Sequence, residues 1–130
     1  MITLADVRDC LKTLFAADHY YIGKLDNKQD RSLGVYSLKR SGAPVTAIGQ
    51  ESTYEIIGAS LLIHWSQNAR QTELAARQLY ETLRTVKNLT INDHIVYMLE
   101  LQEPEPVDVG TDDKGVFEFV VDLKIYYERK

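Results

Sequence analysis

Three histidines, one cysteine and a dense run of carboxylates are the side chains of this sequence with chemistry to offer. His19 and His94 each follow an aspartate, Asp18 and Asp93, at element boundaries. A metal site asks for ligands at i, i+4 or for a tight cluster with carboxylates, and neither spacing supplies that. Boundary histidines that cap or hydrogen-bond locally are expected instead. His64, beside Trp65, falls in a strand pattern and is expected to face solvent or an interface. Cys10 has no second cysteine to bridge, and the neighbouring Asp9 charge works against a thiolate, so a nucleophilic role is not expected. The chain has no Gly-x-Ser-x-Gly elbow, no P-loop and no Gly-x-Gly-x-x-Gly turn.

The carboxylates concentrate in one segment: Glu100, Glu103, Glu105, Asp108, Asp112 and Asp113, with no basic residue between them. Loop carboxylates without an apolar wall make poor general acids, and the Asp112-Asp113 pair lacks the alternating spacing of a calcium loop. The eight tyrosines could stack on bases only with cations nearby. Tyr20, Tyr21, Tyr97, Tyr126 and Tyr127 fall on strand patterns instead, as anchors of a core or a protein interface. The expectation is a non-enzymatic chain with no catalytic residue, no cofactor and no metal.

At 130 residues and a net charge of −4, the chain has the size of one domain, expected to span 1–130. Its acidity argues against non-specific attraction to nucleic-acid phosphates. Met1 to Asp9 lacks the basic and apolar regions of a secretion signal, and no run approaches the roughly 20 apolar residues of a membrane span. With its lone cysteine, this suits a reducing cytoplasm.

The elements that must carry these residues can be read from spacing. Thr3 as N-cap, with Asp6 as an imperfect capping box, opens a helix whose apolar face is Leu4, Val7, Leu11, Leu14 and Phe15. Tyr20 to Leu25 and Leu33 to Leu38 read as two strands joined by a hairpin turn over Asp26 to Arg31, with Gly34 marking a bulge or an edge. Lys39 to Ser52 is a loop, and Tyr54 to Trp65 a long central strand. Asn68 caps a second helix that runs to about Lys87 and buries Ala75, Ala76, Leu79, Leu83 and Val86. Ile95 to Leu101 alternates with Ile95, Tyr97, Leu99 and Leu101 inward, and Pro104 and Pro106 open a loop to Lys114.

From Phe117 onward, Phe117, Phe119, Val121, Leu123, Ile125 and Tyr127 alternate with mostly polar residues, which predicts one long strand committed to a core. At about 3.3 Å per residue it would run roughly 40 Å, against a diameter of about 36 Å for a compact domain of this length. Such a strand crosses the whole domain and reaches its rim. The order of elements indicates an α+β fold: a mostly antiparallel sheet of about five strands with two helices packed on one face.

Two segments carry a resemblance. The strand ending Leu61-Leu62-Ile63-His64-Trp65 leads through Ser66-Gln67-Asn68 into the helix Glu73 to Leu83. Gly110-Thr111-Asp112-Asp113-Lys114-Gly115 leads into Val116-Phe117-Glu118, and the chain closes with Ile125-Tyr126-Tyr127-Glu128-Arg129. This pattern resembles the small minor capsid proteins of tailed bacteriophages and prophages, which are similar to the tail terminator proteins of long-tailed phages. The resemblance implies a virion protein of the neck and tail, assembled in the bacterial host cytoplasm as a homo-hexameric ring at the head-proximal end of the tail tube. It implies contacts with the tail tube protein and the head completion protein, with DNA passing through the lumen without specific binding, and no membrane. A ring needs two different, complementary patches on one chain. Candidates for the subunit or tube interface are Ser41, Gly42 and Pro44 in the first loop, and Glu103, Glu105, Asp108, Asp112 and Asp113 in the acidic segment, with Lys24, Lys39, Arg40 and Lys87 as basic counterparts. Two alternatives stand beside this reading: a head–tail connector on the head-completion side, or a small ligand-binding or enzymatic α+β domain using His64 and Trp65 in a pocket.

Overall fold

The computed structural model describes residues 1–23, 30–38 and 54–129; residues 24–29, 39–53 and 130 lie outside the described residues. The element order is α1 (Leu4–Leu14), β1 (His19–Ile22), β2 (Ser32–Ser37), β3 (Tyr54–His64), α2 (Ala69–Thr85), β4 (Thr90–Ile91), β5 (His94–Leu101), β6 (Val107–Thr111) and β7 (Phe117–Glu128). The class is α+β, with two helices and a curled mixed sheet. Seven strands are described, in the order β1-β2-β3-β7-β5-β4, with β6 pairing β7 as well. None of the two helices is long and apolar enough to cross a membrane, among the described residues.

The terminal strand is the spine of the sheet. β3 pairs it antiparallel along its whole length, from Tyr54 opposite Glu128 to His64 opposite Glu118. Its other edge is shared: β5 takes the C-terminal half and β6 the N-terminal end. The two-residue alternation holds from Val121 on, with Val121, Leu123, Ile125 and Tyr127 buried, while Phe117 and Phe119, expected in the same core, are only half-buried. Leu33, Val35, Leu61 and Ile63 extend the same face across the neighbouring strands. Fully burying each such side chain contributes about 1.5–3 kcal/mol.

Both helices start where their caps say. The Thr3 hydroxyl accepts from the Asp6 amide (3.2 Å), and the Asp6 carboxylate accepts from the Thr3 amide (2.9 Å). The aspartate thus completes the capping box, and the Thr3 amide holds its carboxyl below the ordinary range. Asn68 Oδ1 accepts from the Gln71 amide (3.0 Å) at the head of α2. Val7 and Leu11 of α1 and Leu83 of α2 converge with Leu61, Leu123 and Ile125 of the sheet.

Four expectations are corrected. First, β1 and β2 are not a hairpin: they run parallel, His19 opposite Ser32 and Ile22 opposite Val35. Arg31 fixes this arrangement. Its amide donates to the Trp65 carbonyl (2.8 Å), its guanidinium stacks 4.9 Å from the Trp65 ring centroid, and it meets Asp18 at 3.2 Å. The start of β2 is therefore pinned beside the start of β1. Second, Gly34 is neither bulge nor edge; it is buried in regular register between Tyr21 and Leu62.

Third, the alternation in β5 breaks. Val96 faces Tyr127 and Met98 faces Tyr126, so one extra residue, Tyr97, bulges out of the ladder. Ile95 and Tyr97 are exposed, while Val96, Leu99 and Leu101 pack on the core. Fourth, the sheet is larger than about five strands. Asn92 and Asp93 both take positive φ and turn β4 into β5, a two-residue hairpin of the primed kind. The segment read as a loop to Lys114 contains β6.

Candidate functional site

Between Leu101, opposite Leu123, and Val107, opposite Val120, five residues fill a gap that only two residues span on β7. The chain between β5 and β6 must therefore arch away from the sheet. Pro104 and Pro106 set its backbone. The Tyr80 hydroxyl donates to the Glu103 carbonyl (2.7 Å), and Arg77 meets both Glu105 (3.9 Å) and Glu73 (3.5 Å), so the arch is held against α2. Between α2, the arch and β6 lies an open groove of about 470 Å³. Phe117 and Phe119, both half-buried, line it together with Glu73, Glu103, Glu105 and Asp108.

This geometry sorts the candidate residues. Glu103, Glu105 and Asp108 come together around the groove. Asp108 also accepts from the Gly110 amide (2.8 Å) at the bulge in β6, where Gly110 takes a φ of +89° that favours glycine. Asp113 is exposed, away from that lining. Ser41, Gly42 and Pro44, like Lys24, Lys39 and Arg40, lie outside the described residues, whereas Lys87 is exposed just past α2.

Asp112 has a different setting. Its Oδ1 accepts from the Lys114 and Val116 amides (2.9 Å each) and closes the turn into β7. Its Oδ2 lies 3.6 Å from His64 Nε2, and the other ring nitrogen, Nδ1, stands 3.0 Å from Glu118 Oε2. His64 is fully buried, so it faces neither solvent nor an interface, the two settings expected from the sequence. The imidazole sits between two carboxylates contributed by the turn and by β7, and joins the end of β3 to both.

The remaining reactive groups have structural partners. His94 Nδ1 donates to the Glu128 carbonyl (2.9 Å), and its ring meets the Tyr127 ring edge-on at 5.3 Å. His19 is exposed and stacks on Tyr21. The Tyr127 hydroxyl donates to Glu55 Oε2 (2.8 Å) and accepts from the Ile2 amide (3.3 Å). Burial, and then the Glu55 carboxylate, push the Tyr127 hydroxyl pKa up. Burial also pushes the Cys10 thiol up, the same direction the sequence indicated but from a different cause. Among the described residues no group of three His, Cys, Asp or Glu side chains could hold a metal ion. Trp65 packs on Phe15 at 5.7 Å between ring centroids and under Arg31.

No spacing in the sequence marks Arg77, Phe117 and Phe119 as the lining of one groove, or Tyr80 as the residue that holds its arch. The Pro104-x-Pro106 spacing was the one signal of a rigid arch, and nothing in it named the helix that the arch meets.

Comparison with known proteins bears on what this arrangement does. A family model described as bacteriophage tail terminator protein matches residues 2–129. No curated protein matches the chain.

Proposed function

The chain belongs to the bacteriophage tail terminator protein family, and from that premise we propose that it forms a ring that ends tail-tube polymerisation and joins tail to head. The family is one of structural virion components of the tail, which engage tail and head components. The ring is a homo-hexamer of one-domain subunits spanning 1–130, set at the head-proximal end of the tube. One side meets the tail tube protein and the other the head completion protein, and DNA passes through the lumen without specific binding. Assembly takes place in the host cytoplasm, and the role is structural rather than catalytic.

The observation that carries this reading is the family match over residues 2–129. Physical features support it. β7 is twelve residues long, about 40 Å at 3.3 Å per residue, so both its ends reach the rim where a neighbour can be met. Exposed apolar side chains gather on the outer strands, among them Ile95, Tyr97, Met98, Val107 and Val109, as a subunit contact requires. Acidic groups outnumber basic ones, which suits a lumen that lets phosphates slide past.

Light scattering and negative-stain images of the purified chain, alone and with tail tube protein, test the ring. Sixfold rings in either condition are expected. A chain that stays monomeric in both would overturn it.

A further inference from the structure

The groove between α2 and β6 combines features that single out a class of occupant. Its floor is aromatic: Phe117 and Phe119 are half-buried, in contrast to the buried Val121, Leu123, Ile125 and Tyr127 further along the same face of β7. Its rim is acidic: Glu73, Glu103, Glu105 and Asp108 line it. Among the described residues Arg77 is the one cation lining the groove, and it is already engaged by Glu73 and Glu105. Glu103 and Asp108 face no cation among the described residues. The walls are fixed in advance by the prolines, the Tyr80 hydrogen bond and the Arg77 bridge, so an occupant meets a preformed cleft.

An aromatic floor takes an apolar side chain, and an acidic rim takes positive charge on either side of it. Nucleic acid and anionic lipid are repelled by the same rim. We propose that this groove binds a polypeptide segment in which an apolar side chain is flanked by lysines or arginines, supplied by another protein of the virion. The inference rests on the tail-terminator reading for the source of the segment only; the chemistry of the groove is independent of it. At about 470 Å³ the cleft has room for an anchoring side chain and its flanking stems. The cationic heads stay at the wet rim, where they steer association and make it salt-dependent.

The test uses the full chain and four end-blocked pentapeptides: Lys-Lys-Leu-Lys-Lys, Lys-Lys-Gly-Lys-Lys, Glu-Glu-Leu-Glu-Glu and Lys-Lys-Trp-Lys-Lys. NMR titration at low salt follows the amides of residues 103–108 and the rings of Phe117 and Phe119. The leucine and tryptophan peptides should give saturable shifts at these positions. The glycine peptide should bind about tenfold more weakly or worse, and the glutamate peptide not at all. Glu103→Lys, at an exposed side chain whose residue is tied to α2 only through its backbone carbonyl, should weaken the leucine peptide by about fivefold while leaving the rest of the spectrum in place. Absence of saturable shifts, shifts centred elsewhere, or equal binding of the glycine peptide would overturn the proposal. A parallel tube-arrest assay separates the two claims. A chain that arrests tubes but binds no peptide loses only the groove assignment. A chain that binds the peptide but does not arrest tubes keeps the groove and loses the terminator role.

Discussion

His64 offers the sharpest energetic prediction. Its ring is fully buried, 3.0 Å from Glu118 and 3.6 Å from Asp112, whose side chains keep only 20% and 6% of their surface in water. A hydrogen bond to a carboxylate in such a setting contributes about 1.5–3 kcal/mol. Removing the imidazole also leaves two carboxylates without it, which adds about 1–3 kcal/mol. His64→Ala should therefore cost about 2.5–6 kcal/mol in total. Glu118→Ala should cost less, because that side chain is the more hydrated of the two carboxylates.

The quantity to measure is the coupling between the two positions. Urea unfolding of wild type, both single variants and the double variant gives it, provided the m-value does not change. The expected coupling is about 1.5–3 kcal/mol, and it should persist in 1 M salt at roughly the same size, because a buried pair is poorly screened. In His64→Ala, hydrogen exchange should also quicken at the Lys114 and Val116 amides, since Asp112 holds both while facing His64. A coupling below about 0.5 kcal/mol, or one that vanishes in salt, would refute the argument that this contact ties β3 to the turn and to β7.

Four further outcomes follow from the packing. Thr3→Ala should cost about 1 kcal/mol by removing half of the capping box, measurable by thermal melting. The raised Tyr127 pKa means that the unfolded chain loses this proton first as pH rises, so stability should fall above about pH 10. Tyr127→Phe should flatten that alkaline slope relative to wild type, as read by urea midpoints across the range. Leu123→Ala, at a side chain 2% exposed, should cost about 2–5 kcal/mol, and Phe119→Ala less, because Phe119 is only half-buried at the groove. Asp113→Lys should leave stability within about 0.5 kcal/mol, whereas Asp112→Lys should destabilise strongly by putting a cation against His64 in place of a carboxylate.

The elements with uninterrupted periodicity were the legible ones. β7, β3, α1 and α2 were readable because a single rule of spacing ran through each, and the caps Thr3 and Asn68 announced both helices. β5 misled at one residue: a bulge at Tyr97 inverts the faces of everything before it, and no local signal distinguishes Tyr97 from Leu99 as the inward side chain. The parallel β1–β2 pair was hidden because it depends on Arg31 reaching Trp65, a contact between residues far apart in sequence. β4 is two residues long, too short for any alternation to show, and only its Asn92-Asp93 turn marks it locally. Of the acidic segment, the sequence supplied the charges but not their division. Three carboxylates line a groove with α2, and Asp112 turns to a buried histidine. That division is set by tertiary contacts: Tyr80 and Arg77 hold the arch, and His64 meets Asp112.

The central claim, that this chain ends tube growth, is tested most directly by the length of tail tubes grown from purified tube protein. Added to growing tubes, the chain should stop elongation at one end and leave a cap visible by electron microscopy. Tubes that continue to lengthen at the same rate with the chain in excess would contradict it.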